Sequence, residues 1–222
     1  ALNEIAPNRV APVYLLSGDE FLVRQAAERL LAKLAPKEQG GVDVVTLDVA
    51  GPREIASELA TVSMFGDRKV VLVRDPEFLA PKKGRTEGLS KAREAWKANR
   101  KKEGARRVLS LVARVGWGVD DINPSKRGAP KAKDWLKELD VELGEADVEF
   151  LKEVATYCKD EGLKAESRDD SALSKWLETA QGDRSVLVIA ASSIDAKNAW
   201  VKQLISQYPT CHFEFKVSSR LK

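Results

Sequence analysis

Cysteine, histidine and methionine are scarce in this sequence, and their scarcity excludes several kinds of site. The chain has two cysteines, Cys158 and Cys211, which lie far apart and outside any C-x-x-C spacing. Two such cysteines cannot frame a disulfide-stabilised fold, and they match no zinc-ligand pattern. We therefore expect both thiols to be reduced and structural, and we predict no metal site.

Long hydrophobic runs are also missing. No stretch approaches the roughly 18 to 20 uninterrupted apolar residues of a membrane-spanning helix. The chain does not open on a basic segment followed by an apolar one, as a leader peptide would. Hydrophobic residues nevertheless make up 43% of the 222 residues, which is typical of a soluble globular protein with a buried core. We expect a cytoplasmic protein that does not contact a membrane.

Short apolar runs alternate with helical patterns in the two outer parts of the sequence. The runs at 13–17, 42–49, 68–75, 185–192 and 211–217 predict five strands, and helices are predicted at 20–34, 51–62, 170–180 and 195–207. The central strands are apolar throughout, as in "VVLV" (70–73), which is typical of a parallel sheet buried on both faces. The predicted fold class is therefore α/β, with helices on both faces of a five-stranded parallel sheet.

The helical patterns also predict which residues face the sheet. The expected inward residues are Ile55, Leu59 and Val62 in the second helix and Ala199, Leu204 and Ile205 in the last helix. The start of the first helix is open between two capping patterns: Ser17 with Glu20 has capping-box spacing, and Asp19 is an equally good N-cap.

Signatures of catalysis are weak or missing. The turn "SGDE" after the first strand has one glycine, no Lys and two carboxylates, whereas a phosphate loop needs several glycines and a Lys. After the third strand, Asp75 has no second acid beside it to share a metal ion. The single histidine, His212, lies in the fifth strand without a recognisable nucleophile motif. We predict no catalytic residue and no cofactor, with an ATPase of the P-loop fold as a competing hypothesis.

Residues 81–170 interrupt the strand and helix alternation between the third and fourth strands. Helical patterns at 86–116 and 147–162, separated by a loop at 123–131, predict a mostly helical insertion. Its charge is polarised along the chain. Residues 82–107 hold eleven Lys or Arg and three acids, a net charge of +8, and residues 134–170 hold five basic residues and thirteen acids, a net charge of −8.

The basic part of the insertion has two interpretations. Its cations could neutralise nucleic-acid phosphates, or they could form a solvated helix face that pairs with the acidic part. The candidate DNA-binding residues are Lys91, Arg93, Lys97, Arg100, Lys101, Lys102, Arg106 and Arg107. We expect the tryptophans at 96, 117 and 135 to anchor the core of the insertion rather than to stack on bases. A stand-alone nucleic-acid-binding module built on residues 82–107 is thus a further alternative function.

Three segments together resemble a known family. These are "VYLLSGDEFLVRQAAERLL" (13–31), "ATVSMFGDRKVVLVRD" (60–75) and "VLVIAASSIDAKNAWVKQL" (186–204), followed by "FEF" (213–215). In this order they resemble the delta subunit of bacterial DNA polymerase III, a clamp-loader component. The resemblance implies the AAA+ version of the P-loop α/β fold in a subunit that neither binds nor hydrolyses ATP.

The resemblance also implies a binding segment just before the third strand. In that family, a hydrophobic plug at this position enters a pocket of the ring-shaped sliding clamp and opens one clamp interface. Carried over by position, the plug is Met64 and Phe65, with Val62 and Ser63 leading into it. We name residues 62–65 the hook segment. The alternative is that these apolar side chains pack under the sheet, as apolar residues at helix ends usually do.

The implied partners are the sliding clamp, the gamma/tau and delta-prime clamp-loader subunits, and primed DNA through the assembled complex. The chain by itself is then not an enzyme, and its parent complex is a DNA-directed DNA polymerase holoenzyme, a nucleotidyltransferase. We expect an AAA+-like core at about 10–80 and 171–218 around the insertion. The family's lid and helical collar are missing from residues 1–222, so we expect a monomeric fragment.

Overall fold

The computed structural model describes residues 10–35, 42–63, 68–81, 85–165, 169–182 and 184–216. The chain divides into two compact units. The sheet unit comprises residues 1–80 and 169–222, and the helical unit comprises residues 81–168, which enter the chain between two strands of the sheet. Each unit has a hydrophobic interior of its own.

The sheet unit contains five parallel strands. They are β1 (Val13–Gly18), β2 (Val42–Asp48), β3 (Arg68–Arg74), β4 (Ser185–Ala191) and β5 (His212–Phe215), and their order across the sheet is β2-β3-β4-β1-β5. Leu187 of β4 is in register with Val13 of β1 on one side and with Val71 of β3 on the other. The predicted α/β class and five-stranded parallel sheet are confirmed.

Eight α-helices lie within the ranges described above. They are α1 (Glu20–Leu34), α2 (Pro52–Ala60), α3 (Arg85–Lys97), α4 (Lys101–Ala113), α5 (Ala132–Leu139), α6 (Glu145–Asp160), α7 (Ser171–Thr179) and α8 (Ala199–Gln207). Apolar side chains of α1 pack on one face of the sheet, with Leu16 and Leu72, and those of α2, α7 and α8 pack on the other face, with Leu15 and Val71. Helices therefore cover both faces, as predicted.

The structure decides the cap of the first helix, which the sequence left open, and corrects the start of the last helix. The carboxylate of Asp19 caps α1 by accepting a hydrogen bond from Leu22 N, which decides between the two capping patterns. The last helix starts at Ala199 instead of 195, because the Asn198 side chain caps it by accepting hydrogen bonds from the backbone N–H groups of residues 200 and 201. The later start corrects the predicted inward face: the buried residues are Trp200, Val201 and Leu204, Ile205 is partly buried, and Ala199 is exposed.

The helical unit is built around one hydrophobic core. The continuous helix predicted over 86–116 is broken into α3 and α4 at Asn99, whose φ of 60° ends the first helix. Helix α5 was not predicted, because only Trp135 and Leu139 of its eight residues are buried. Trp135 lies fully inside the core, and the partly buried Trp96 and Trp117 pack against this core. The tryptophans therefore anchor the core, as expected. In the residues that the structure describes, no helix is both long enough and apolar enough to span a bilayer.

Candidate functional site

The chain between α2 and β3 carries the leading residues of the hook segment. Helix α2 ends at Ala60, and Thr61 is already extended, so the apolar face of Ile55 and Leu59 does not continue to Val62. Val62 is 87% exposed, which corrects the predicted inward position of this side chain. Ser63 is half-buried, and Met64 and Phe65 lie outside the described residues. The part of the hook segment that the structure describes thus presents an apolar side chain to solvent.

A buried lysine ties together the two elements that flank this segment. The ammonium group of Lys69, at the start of β3, donates hydrogen bonds to the carboxylate of Glu58 and to the hydroxyl of Thr61 at the end of α2. We call this set of three residues the Lys69 clasp. Lys69 is only 4% exposed, and its backbone N–H donates to the carbonyl of Arg184 at 2.8 Å.

The clasp fixes the position of both neighbours of the hook segment. A cation near the C-terminus of α2 is stabilised by the helix dipole as well as by the carboxylate. The Thr61 hydroxyl also donates to the Glu58 carbonyl at 2.8 Å, which holds the last turn of the helix closed. Beyond Lys69, the strand runs through four almost fully buried residues, Val70 to Val73. The chain therefore enters and leaves residues 62–67 at anchored points.

The turn between β1 and α1 is closed where a phosphate loop would be open. Gly18 has a φ of 118°, and a Cβ placed on it would lie 2.0 Å from the Phe215 carbonyl oxygen. The backbone N–H of Asp19 donates to that same oxygen at 2.9 Å, and its carboxylate occupies the N-terminus of α1. A phosphate bound here would need free backbone N–H groups and the positive end of the α1 dipole. The Phe215 carbonyl already accepts from the Asp19 N–H, and the Asp19 carboxylate already lies at the N-terminus of α1.

Asp75, at the end of β3, braces the sheet. Its carboxylate accepts a hydrogen bond from Ser192 N at 3.0 Å, and its own N–H donates to the Ala190 carbonyl at 2.8 Å. Its φ of 43° is the left-handed conformation that this bracing turn requires. Within the described ranges, no group of three His, Cys, Asp or Glu residues is placed to hold a metal ion.

One contact between adjacent strands was not visible in the sequence. The Ser17 hydroxyl lies 3.0 Å from Nε2 of His212, although the residues are 195 positions apart, because β1 and β5 are neighbours. Ser17 is buried, so a substrate would not reach its hydroxyl, and we interpret the contact as structural. Only the strand order could have revealed it.

The two cysteines are buried and free. Burial raises the pKa of the Cys158 thiol to about 11. Burial also raises the pKa of Cys211, with a smaller opposing effect from a hydrogen bond to Thr210. Both residues are therefore protonated, unreactive parts of the interior at neutral pH, as expected from the sequence.

The structure separates the eight candidate DNA-binding residues by exposure. Lys91 is half-buried and pairs with Glu87 at 3.6 Å. Arg93 forms an ion pair with Asp147 of the acidic part of the insertion. The remaining residues divide into a buried one, Arg107, a half-buried one, Arg106, and four exposed ones, Lys97, Arg100, Lys101 and Lys102. The exposed cations lie together around the connection between α3 and α4.

Comparison with known proteins gives a similarity to a solved structure, at low sequence identity. No protein-family model matches the chain, and no curated protein is a significant match. Among solved structures, the Bacillus subtilis DNA clamp loader delta protein (YqeN) is similar, with a TM-score of 0.44 and 15% sequence identity. The similarity covers 97% of this chain and 40% of that chain, so this chain spans less than half the length of the similar protein.

Proposed function

We propose that this chain is a non-catalytic, clamp-loader-type subunit that binds and opens the sliding clamp of DNA replication through the hook segment. The observation that carries the proposal is the 87% exposure of Val62, two residues before Met64. An apolar side chain held in solvent between two anchored elements is what a docking segment requires. The family resemblance of "ATVSMFGDRKVVLVRD" supplies the identity of the partner.

The physical chemistry of the hook segment suits such a partner. A thioether and an aromatic ring can fill an apolar pocket, and burying both contributes roughly 3 to 6 kcal/mol before the cost of association. The Lys69 clasp reduces that cost, because the chain on either side of the hook segment is already ordered before binding.

The closed turn at Gly18 supports a role without ATP hydrolysis. A nucleotide would have to displace the Asp19 carboxylate and the Phe215 carbonyl from the N-terminus of α1. Energy for the loading cycle would then come from other subunits, for which gamma/tau and delta-prime are the proposed partners, with primed DNA bound by the complex. In that setting the chain works in the cytoplasm as part of a DNA-directed DNA polymerase holoenzyme.

The competing ATPase hypothesis makes a different prediction at the same turn. A P-loop ATPase would bind a fluorescent ATP analogue with Mg²⁺, whereas we expect no saturable binding by this chain. Saturable binding that Asp19→Ala strengthens would favour the ATPase hypothesis, because removing the carboxylate frees the N–H groups of α1.

The proposal is tested by measuring the affinity of purified sliding clamp for the parent chain, for two variants of the hook segment and for two control variants. We expect Met64→Ala/Phe65→Ala to abolish detectable binding and Val62→Ala to weaken it by several-fold. The matched controls are Phe21→Ala and Val44→Ala, since these side chains are also exposed, at 66% and 42%, on other parts of the sheet unit. Equal losses in both sets, or no binding by the parent chain, would contradict the proposal.

A further inference from the structure

Four cations project from the connection between α3 and α4. Lys97 ends α3, and Arg100, Lys101 and Lys102 surround the start of α4; all four are exposed. We name these four residues the hairpin tip. No acidic residue lies in the sequence between 97 and 102, and the first acid that follows, Glu103, pairs with Arg100.

The backbone that carries the hairpin tip is tightly built. Asn99 adopts a left-handed conformation, and Arg100 N donates to the Ala95 carbonyl at 2.9 Å, which turns the chain sharply. A Cβ placed on Gly104 would lie 2.8 Å from the Ala92 carbonyl oxygen, so the two helices are in direct backbone contact. The cations are thus presented by a closed helical hairpin and not by a long loop.

Lys101 is further positioned by an aromatic ring. Its ammonium group lies 5.3 Å from the ring centroid of Trp96. Trp96 is held in turn by a 2.9 Å hydrogen bond from Nε1 to Glu153 and by edge contacts with Phe150 and Tyr157. A cation–π contact to a fixed ring orders the lysine without neutralising its charge.

The nearest acid in α4 leaves the hairpin tip positive. Glu103 is a mostly buried side chain that accepts hydrogen bonds from Arg107 at 3.1 Å and contacts Arg100 at 2.5 Å. One carboxylate shared by two guanidinium groups cannot neutralise both. The N-terminus of α4 has no side-chain cap, so its dipole adds to the positive potential of the four cations.

The chemistry of the hairpin tip indicates what kind of partner it fits. Among the described residues of α3 and α4, no large hydrophobic side chain is exposed, which argues against insertion into a lipid surface. Trp96 packs in the core of the unit, and stacking on single-stranded bases needs a free aromatic face. Exposed Lys and Arg without apolar neighbours match the phosphate backbone of a duplex.

We infer that the hairpin tip is a sequence-independent contact site for the phosphate backbone of double-stranded nucleic acid. It acts separately from the hook segment, which belongs to the other unit of the chain. The binding uses charge only, so its strength falls with salt and does not depend on base sequence.

The test measures fluorescence anisotropy of a labelled 20-base-pair duplex with the full chain at increasing salt. If four phosphates are contacted, the slope of log K against log salt is about −3.6, and affinity falls roughly 100-fold between 50 and 200 mM salt. We expect Lys97→Gln/Lys102→Gln to reduce the slope by about 1.8 and the affinity at 100 mM salt by about 10- to 100-fold.

The matched control is Lys133→Gln/Lys164→Gln, which removes two exposed lysines of the same unit. Its net charge equals that of Lys97→Gln/Lys102→Gln. We expect this control to keep the parent slope, and Met64→Ala/Phe65→Ala to keep duplex binding. Four results would overturn the inference: a flat salt dependence, equal losses in both lysine pairs, tighter binding to single strands than to duplex, and equal competition by poly-glutamate, which would indicate an acidic protein partner.

Discussion

Lys69→Met removes the ammonium group of the Lys69 clasp and keeps most of the side chain's apolar volume. In the parent chain this ammonium group bonds to Glu58 and Thr61 and lies in a position that is only 4% exposed. The substitution therefore leaves a carboxylate and a hydroxyl without their shared donor, while the packing around the side chain's stem is preserved.

The expected loss of stability follows from these two bonds. Breaking a fully buried ion pair by removing one partner costs about 3 to 5 kcal/mol. The Glu58 side chain retains 30% exposure, so its carboxylate can turn toward water and the loss is smaller, about 2 to 3 kcal/mol. For a protein of this size, that corresponds to a decrease in Tm of about 5 to 10 °C.

Urea unfolding followed by circular dichroism and Trp fluorescence measures the loss, with Lys202→Met as the matched control. Lys202 is exposed on α8 of the same unit, and its replacement should change stability by less than about 0.5 kcal/mol. We also expect Lys69→Met and Glu58→Gln to be non-additive in the double variant, because they remove the same contact. A loss equal to that of Lys202→Met, or full additivity with Glu58→Gln, would refute this explanation of the clasp.

Three further predictions concern other parts of the chain. Gly18→Ala should destabilise the sheet unit far more than Gly116→Ala in thermal unfolding, because both have positive φ but only at Gly18 does a Cβ meet backbone, 2.0 Å from the Phe215 oxygen. Hydrogen bonds and charge from Lys126 and Lys159 lower the pKa of Asp120 to about 2, so NMR titration should show this carboxyl staying ionised down to that range and Lys159→Gln should raise its pKa. Since the folded pKa lies below the unfolded one, the stabilising effect of this group is present above about pH 4 and is lost as the pH falls toward 2. Cys158 and Cys211 should react with a thiol reagent at pH 8 only after unfolding, and rapid reaction in the native state would contradict their buried, protonated state.

The elements of the sheet unit were predictable because local and global signals agree there. Helix α1 has the predicted bounds, Glu20–Leu34, since Asp19 supplies a cap and the apolar period is regular. Strand β3 was predicted from four consecutive apolar residues, which fit a strand buried on both faces.

Contacts between residues that are distant in the sequence could not be predicted from the sequence patterns. The apolar period of Ile55 and Leu59 continues to Val62, but Thr61 takes an extended conformation and bonds to Lys69, so the helix stops earlier. Lys69 lies near the start of β3, and nothing in the sequence around it indicates that its side chain is buried. The charge pattern of 82–107 likewise does not distinguish the buried Arg107 from the exposed Lys102.

The central claim is that the hook segment opens a sliding clamp, and the most direct measurement is the distance across one clamp interface. Two fluorophores on either side of that interface report opening by a loss of energy transfer. We predict that the parent chain decreases the transfer, that Met64→Ala/Phe65→Ala leaves it unchanged, and that Phe21→Ala/Val44→Ala behaves as the parent. A parent chain that leaves the interface closed, or a hook variant that opens it as well as the parent, would contradict the claim.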